Sequence, residues 1–271
     1  MKKFAYPEII FFDIDGTLVD EFNEISASTV ETLHLLDQKG ILLAICTGRF
    51  PYECGEFFST HPNLPFSLLI CAGGALAFKG DAIIVNKPIP AQDLIPFLNV
   101  ARIHGVPYWT AGIDGFFYSV RSLDGIRDLL HPSELLRTDF YDPDYHLAHD
   151  VYGGEMVPSP EQLSLFKPVS DRIIIAQGMH IGGLPSRAFD FYRRDVNKGT
   201  GILDCLKILG IPPGKAMAIG DSSNDIPAFR VVGSSVLMGN SSPNIHHHAT
   251  FVTDTIHNDG IRKAMLYFGV I

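Results

Sequence analysis

Short apolar runs that each lead into a polar or glycine-rich loop constrain the fold of this chain more than any other feature. The first three such runs lie at 8–12, 41–45 and 67–71. Runs of four or five mainly apolar residues are typical of strands that a parallel sheet buries on both faces. The beginning of the chain therefore predicts a series of parallel strands separated by helices.

A helix is predicted between the first two runs, because Ser28 and Glu31 fit a capping box and Gly40 fits a helix end. The same pattern returns near the C-terminus. The elements predicted there are a helix at 199–209 and strands at 216–219, 235–237 and 250–252. Loops at the carboxyl ends of parallel strands meet at one sheet edge, where such folds bind ligands. The fold class predicted is α/β, with a doubly wound, Rossmann-like parallel sheet as its core.

The middle of the chain has a different pattern. A helix is predicted at 91–104, and the predicted strands are 106–110, 116–120, 172–176 and 188–193. The alternation of buried strand and helix is lost here, so the simplest prediction is an inserted α+β domain at 84–189. The core then consists of 1–83 and 190–271. The aromatic residues Tyr108, Trp109 and Phe117 are candidate ligand contacts of the insertion, although core packing is the commoner role of such a set.

Composition restricts the partners. The 271 residues carry a formal net charge of −9, which leaves no general excess of Lys and Arg for a nucleic-acid backbone. No apolar run has the roughly 20 residues that a membrane-spanning helix needs. We expect a cytoplasmic protein that contacts neither nucleic acid nor membrane, as a monomer or small homo-oligomer. The four cysteines are interpreted as small core residues, and the histidine triplet at 246–248 as a solvated helix end.

Asp13 and Asp15 follow the first predicted strand at alternate positions. One ionised carboxylate at such a site can attack phosphorus, and a second carboxyl group can donate a proton to the leaving oxygen and later take one from water. A pair of solvated turn acids is the alternative interpretation. The choice depends on whether partner residues follow the other strands.

Two further segments supply possible partners. Thr47, Gly48 and Arg49 follow the second strand and are expected to open a helix, whose hydroxyl and N–H groups can hold phosphate oxygens. Lys198, at the start of another predicted helix, can neutralise a phosphoryl group and keep Asp13 ionised. Taken singly, a helix cap and a surface lysine are the better explanations of these residues, and the value of Lys198 lies in its position.

The loop at 220–225 is the strongest partner of the first motif. Mg²⁺ takes hard oxygen ligands, which Asp13, the Asp15 carbonyl and Asp221 could provide. Asn224 can donate to phosphate or substrate, and Asp225 can orient Lys198 or a metal-bound water. An Asp-rich turn is the alternative.

The chain resembles the haloacid dehalogenase superfamily, and within it the Cof-type sugar phosphatases. The motifs that carry the resemblance are FFDIDGTLVD at 11–20, CTGR at 46–49, KG at 198–199 and GDSSND at 220–225, in that order at strand ends. The segments 237–240 and 258–260 also look like closing segments of that group.

The resemblance implies a Mg²⁺-dependent phosphatase of a small phosphorylated metabolite, with sugar phosphates the leading class. Its implied roles are Asp13 as nucleophile, Asp15 as acid and base, Thr47 and Lys198 on phosphate, Arg49 and Asn224 lining the pocket, and Asp13, Asp15 and Asp221 on Mg²⁺. The insertion looks like a type C2 cap, since little chain separates Asp20 from Thr47. One departure is Gly73, where similar proteins often have Asn, so a side-chain contact from that position is lost.

Two other functions remain open on the sequence. A phosphomutase would keep the same core but return the phosphoryl group to its substrate. A non-catalytic sugar-phosphate sensor would bind without turnover, although intact Asp13, Asp15, Lys198 and Asp221 argue against it. A response-regulator receiver also places acids at strand ends, but the spacing of the first motif, the chain length and the insertion disfavour it.

Overall fold

The computed structural model describes residues 5–121, 141–179 and 185–271. Its strands are β1 (Ile9–Phe12), β2 (Leu42–Cys46), β3 (Leu68–Cys71), β4 (Leu76–Lys79), β5 (Ala82–Asn86), β6 (Tyr108–Ala111), β7 (Phe116–Tyr118), β8 (Gly153–Met156), β9 (Ile173–Met179), β10 (Pro185–Arg193), β11 (Ala216–Gly220), β12 (Ser234–Leu237) and β13 (Phe251–Val252). Its α-helices are α1 (Ala27–Gln38), α2 (Pro51–Thr60), α3 (Ala91–Ile103), α4 (Pro160–Leu163), α5 (Lys198–Leu209), α6 (Ile226–Phe229) and α7 (Gly260–Tyr267).

Contacts between Cα atoms divide the chain into two compact units. The first consists of Met1–Arg49, Phe57–Asn86 and Asn197–Ile271, and the second of Phe50–Glu56 and Lys87–Val196. The boundaries predicted from the sequence, at 83/84 and 189/190, lie a few residues from these divisions. The predicted boundary at 189/190 falls inside β10, which belongs wholly to the second unit.

An eight-stranded sheet forms the first unit, in the order β13-β12-β11-β1-β2-β3-β4-β5. The strands from β13 to β3 pair in parallel, and β4 and β5 add an antiparallel edge. Alternate residues of β1 pack in two separate apolar clusters, Ile10 and Phe12 in one and Ile9 and Phe11 in the other. Burial on both faces is why these strands are continuously apolar. The doubly wound α/β core is confirmed, whereas the β4–β5 hairpin was not predicted.

The start of α1 corrects one prediction. The helix is capped by Ser26, whose hydroxyl accepts the N–H of Thr29 at 3.2 Å, and not by a capping box of Ser28 and Glu31. Ser28 lies inside the helix, and its buried hydroxyl has no hydrogen-bond partner in the described part of the chain. Both serines precede an apolar helical stripe, so local sequence does not distinguish them.

Helix α5 is built for close packing at its first turn. Asn197 caps it by accepting the N–H of Thr200, whose hydroxyl in turn accepts the N–H of Asn197. A Cβ at Gly199 would lie 2.4 Å from the Pro227 carbonyl oxygen, and one at Gly201 would lie 2.7 Å from Gly74 Cα. These glycines let the first turn of α5 lie deep in the unit, and the buried Lys198 with it.

The second unit contains a five-stranded antiparallel sheet in the order β7-β6-β8-β10-β9. The predicted helix is α3 and the predicted hairpin is β6–β7. Strand β8 was not predicted, because its Gly-Gly-Glu-Met sequence lacks a strand pattern. Tyr108 and Trp109 are buried in apolar clusters, and the half-buried Phe117 packs against one of them, so these aromatic residues serve as core. Part of the loop-rich stretch of the predicted insertion lies outside the described residues.

Three smaller predictions concern the cysteines, the histidine triplet and membrane spans. Cys46, Cys54, Cys71 and Cys205 are all buried and form no disulfide, as predicted for core residues. The triplet ends a 3-10 helix at Pro243–His248, where His247 is exposed. Among the described helices, none combines the length and the apolar character needed to cross a bilayer.

Candidate active site

Asp13 lies at the carboxyl end of the central strand β1. Its N–H donates to the Ile219 carbonyl at the end of the neighbouring β11, with 3.0 Å between nitrogen and oxygen. Only 5% of the residue is exposed. A carboxylate this deep needs a compensating partner, because an isolated buried charge is costly.

Lys198 is that partner. Its Nζ lies 2.8 Å from Asp13 Oδ1 and 2.6 Å from Asp225 Oδ1, and its side chain is 2% exposed. Burial alone would lower the pKa of Lys198, but attraction by Asp13 and Asp225 outweighs it and raises the pKa. The lysine is therefore a permanent buried cation between two carboxylates.

Asp225 also fixes the loop that follows β11. Its Oδ2 accepts the N–H groups of Asp221 and Ser222, each at 3.0 Å. A Cβ at Gly220 would lie 2.2 Å from Asp225 Cγ, so only glycine fits there. One carboxylate thus orients Lys198 with one oxygen and the Asp221 loop with the other.

Asp221 reaches the loop after β1. Gly16 has φ +73°, and a Cβ on it would lie 2.4 Å from Asp221 Oδ2. Asp13, Asp221 and Asp225 each offer a carboxylate oxygen within 4.8 Å of the others. Burial, together with repulsion by Asp225, raises the pKa of Asp221 to about 7. Burial likewise raises the pKa of Asp13, an effect that Lys198 opposes.

This cluster has the composition of a divalent cation site. Among the residues that the structure describes, three carboxylates share one lysine, which leaves negative charge uncompensated, and all the donors are hard oxygens of the kind that Mg²⁺ takes. Asp225 already uses both oxygens on protein donors. Asp13 and Asp221 are therefore the carboxylates best placed to hold a cation.

Asp15 is in a different environment from Asp13. Its side chain is 61% exposed, and Arg49 binds it through Nε at 3.0 Å and Nη2 at 2.6 Å. Arg49 Nη2 also donates to Asn23 Oδ1 at 3.2 Å. Sequence reasoning did not single out Asn23, since no motif marks an exposed Asn in a loop.

The segment 47–49 differs from the prediction in one respect. Thr47 is buried at the end of β2 as expected, but α2 begins only at Pro51, so these residues form a loop and not a helix start. Thr47 N–H donates to the Ile70 carbonyl, and Arg49 N–H to the Thr47 hydroxyl. Proline is favoured at the first position of a helix, and residues 48 and 49 form bends before it. Gly48 is the remaining candidate backbone donor.

The other predicted positions also follow strand ends. Asn224 is exposed in the 220–225 loop and its Oδ1 accepts the Ser222 hydroxyl at 2.9 Å. Asn240, beyond β12, donates to the Gly16 carbonyl at 2.9 Å and accepts the Ile256 N–H at 3.1 Å, so it braces the Asp15 loop. Gly73 has φ +61°, and no atom of the described residues lies within 4 Å of where a Cβ would be.

The structure thus brings together four of the predicted side chains, Asp13, Lys198, Asp221 and Asp225. Asp15, two residues after Asp13, pairs with Arg49. The elements that carry the four side chains come from the two ends of the sequence. A cluster of this kind, at the carboxyl edge of a doubly wound sheet, is where an α/β enzyme binds its ligand.

Comparison with known proteins identifies the family. The sequence model of the haloacid dehalogenase-like hydrolase family matches residues 10–265 of this chain. A Streptococcus pyogenes protein named as a bifunctional phosphatase and peptidyl-prolyl cis-trans isomerase is 28% identical over 97% of this chain, and the match spans 54% of that protein. The 5-amino-6-(5-phospho-D-ribitylamino)uracil phosphatase YcsE of Bacillus subtilis is 24% identical, over 96% of this chain and 95% of its own length.

A solved structure gives the same result. The subclass IIB sugar phosphatase BT4131 superposes with a TM-score of 0.75 at 27% identity, over 97% of this chain and 99% of the other. The chain belongs to the haloacid dehalogenase-like hydrolases, and it is an enzyme of the phosphatase class.

Proposed function

We propose that this phosphatase moves the phosphoryl group of a small phosphorylated metabolite first to Asp13 and then to water. The observation that carries the proposal is the buried contact of Asp13 with Lys198, beside Asp221 and Asp225. A carboxylate and a phosphate dianion repel one another, so attack needs fixed positive charge between them. Lys198 can supply that charge without reorganisation, because Asp225 holds it in place.

In the first step, an Asp13 carboxylate oxygen attacks phosphorus while the bond from phosphorus to the leaving oxygen breaks. The Asp15 carboxyl group gives its proton to that oxygen, and the alcohol leaves. In the second step, water attacks the phosphorus of the aspartyl phosphate and gives its proton to Asp15. Inorganic phosphate is released and Asp13 is regenerated. The exposure of Asp15 suits exchange of a proton with substrate and water.

Mg²⁺ is the cofactor we propose, held by Asp13, Asp221 and the Asp15 carbonyl. When bound, it would offset phosphate charge and orient the phosphoryl oxygens. Thr47, Gly48, Lys198 and Asn224 are the proposed phosphate contacts, and Arg49 lines the pocket from its position on Asp15. Asp225 supports the site by orienting Lys198.

Sugar phosphates are the proposed substrate class, a choice supported by the likeness to a sugar phosphatase. We also propose that the second unit is the cap of this enzyme. The experiment that would narrow the substrate is a screen of phosphorylated metabolites for phosphate release. Conversion to an isomer with little free phosphate would instead indicate a phosphomutase, and binding without turnover a sensor.

Asp13→Asn tests the mechanism. The amide keeps the shape of the side chain but is a poor nucleophile, so hydrolysis of p-nitrophenyl phosphate should fall by at least about 10³-fold while the fold is kept. Asp37→Asn, an exposed position on α1, is the matched control and should retain full activity. Turnover near the wild-type rate in Asp13→Asn would contradict the assignment of the nucleophile.

A further inference from the structure

The turn that follows the first motif is closed by its own hydrogen bonds. Asp20 Oδ1 accepts the N–H groups of Phe22 at 2.9 Å and Glu24 at 3.0 Å. The Asp20 N–H donates to the Glu24 carbonyl, and the Asn23 N–H donates to the Asp20 carbonyl. Asn23 has φ +59°, in the left-handed region that Asn tolerates better than most side chains. The backbone at Asn23 is therefore held in one conformation.

The side chain of Asn23 extends this order to the site. Its Oδ1 accepts a hydrogen bond from Arg49 Nη2 at 3.2 Å, and the same Nη2 lies 2.6 Å from Asp15 Oδ1. Arg49 Nε makes the second bond to Asp15, at 3.0 Å. A guanidinium that donates two parallel bonds fixes both the position and the rotation of a carboxylate.

We infer that Asn23 is a positioning residue, which aligns Asp15 for proton transfer by holding the Arg49 guanidinium. The inference rests on the proposed function, in which Asp15 handles the proton. The Asp15 side chain is 61% exposed, so the ion pair contributes little to stability. Without a partner, so exposed a carboxylate would sample several rotamers. The contact with Arg49 therefore matters because it orients the Asp15 carboxylate, and not because it stabilises the fold.

The contact with Arg49 leaves Asp15 able to react. Each carboxylate oxygen has two acceptor sites, so an oxygen that accepts from Arg49 keeps a second site for the transferred proton. That proton passes to the leaving oxygen as its bond to phosphorus breaks. Transfer requires hydrogen-bond reach, so a misaligned Asp15 is most harmful when the leaving oxygen is strongly basic. Phenoxide is a more basic leaving group than p-nitrophenoxide.

The test compares these two esters in the full-length protein. Asn23→Gly removes the acceptor, while glycine accommodates the positive φ. We expect kcat/KM for phenyl phosphate to fall about tenfold and that for p-nitrophenyl phosphate by less than about twofold, since general acid catalysis contributes about 10²–10⁴-fold when complete. Asn23→Asp keeps an acceptor oxygen at the same place and should restore the wild-type ratio of the two esters.

Two further variants separate positioning from a general effect on the turn. Glu24→Gly adds the same backbone freedom one residue later and should leave the ratio unchanged. Arg49→Lys keeps the charge but cannot form the paired contact, so it should change the ratio in the same direction as Asn23→Gly and by more. Arg49→Lys also decides the question if Asn23→Gly folds poorly.

The outcomes separate the inference from the proposed function. If the wild-type protein hydrolyses neither ester, the proposed function fails. If it hydrolyses both, and Asn23→Gly and Arg49→Lys leave the ratio of kcat/KM values unchanged, the inference alone is overturned. An equal loss on both esters in Asn23→Gly also overturns it, because a structural defect does not depend on the leaving group.

Discussion

At the scale of single residues, the candidate active site is organised around one buried cation that two carboxylates share. Lys198 lies between Asp13 and Asp225, and the second carboxylate oxygen of Asp225 accepts a hydrogen bond from the loop that carries Asp221. Removing the lysine would leave two carboxylates buried without a positive charge. Such a change is costly because the unpaired charge, and not the lost contact alone, destabilises the fold.

Lys198→Met should lower the free energy of unfolding by about 3 kcal/mol at pH 8 and abolish turnover. Without the lysine, the two buried carboxyl groups of the folded variant would have raised pKa values, so the folded variant would bind protons more tightly than its unfolded chain does. The loss in the free energy of unfolding should therefore shrink as the pH falls towards 5. Urea unfolding at both pH values measures the difference. Lys215→Met, which removes an exposed pairing with Glu8 at 3.7 Å, is the control and should cost less than about 1 kcal/mol.

Gly73 and Gly74 should respond differently to substitution. Gly73 has φ +61°, which Asn tolerates, and there is space around an added Cβ. Gly73→Asn should therefore change the free energy of unfolding by less than about 0.5 kcal/mol. A Cβ at Gly74 would lie 2.2 Å from the Asn197 carbonyl oxygen. Gly74→Ala should therefore lose about 2 kcal/mol or more, and equal thermal stability of the two variants would contradict this reading of the loop.

At the scale of elements, helix ends and glycines position the side chains of the candidate site. The capping box of Asn197 and Thr200 starts α5 at Lys198, and the glycines that follow let the helix approach its neighbours. The start of α1 was harder to predict. Ser26 and Ser28 both suit a cap, and Ser26 is the one that stays extended before the helix, with φ −64° and ψ 146°.

Ser26→Ala and Ser28→Ala form a matched pair that tests the cap of α1. Ser26→Ala removes the acceptor of the Thr29 N–H and should cost about 1 kcal/mol of the free energy of unfolding. Ser28→Ala removes a buried hydroxyl without a partner and should be neutral or slightly stabilising. Chemical denaturation of both variants measures the two effects, and the reverse order would restore the capping box predicted from the sequence.

At the scale of the whole molecule, the site links segments that are far apart in the sequence. Asp13 directly follows the first strand, whereas Lys198, Asp221 and Asp225 come after the long segment of the second unit at 87–196. A ligand that binds all of them favours the folded chain over the unfolded one, because the unfolded chain has no such site. The proposed cation should therefore stabilise the first unit.

Mg²⁺ at about 100 times its dissociation constant should add about 2.7 kcal/mol to the free energy of unfolding and raise the unfolding temperature by roughly 5–10 °C. EDTA should reverse the shift and suppress hydrolysis of p-nitrophenyl phosphate. Asp221→Asn should lose most of the shift, since it removes one of the two carboxylates proposed to hold the ion. Activity that persists unchanged in excess chelator would count against the proposed metal site.

The sequence alone determined the parallel core and the positions of its reactive loops. Strands buried on both faces must be apolar throughout, and parallel strands end at one edge, so the order of runs and loops predicts both features. Motif spacing was enough to select Asp13, Asp15, Lys198 and Asp221 as candidates. It was not enough to find Asn23, whose contact with Arg49 joins residues in separate loops.

Only the tertiary structure decided how these groups share charge and hydrogen bonds. It paired Asp225 with Lys198 and with the N–H groups of Asp221 and Ser222, placed Arg49 on Asp15, and moved the start of α2 to Pro51. The physical reason is the separation along the sequence over which each of these interactions acts. Apolar periodicity is a property of neighbouring residues, whereas an ion pair or a buried hydrogen bond depends on which distant loops the packed sheet brings within about 3 Å.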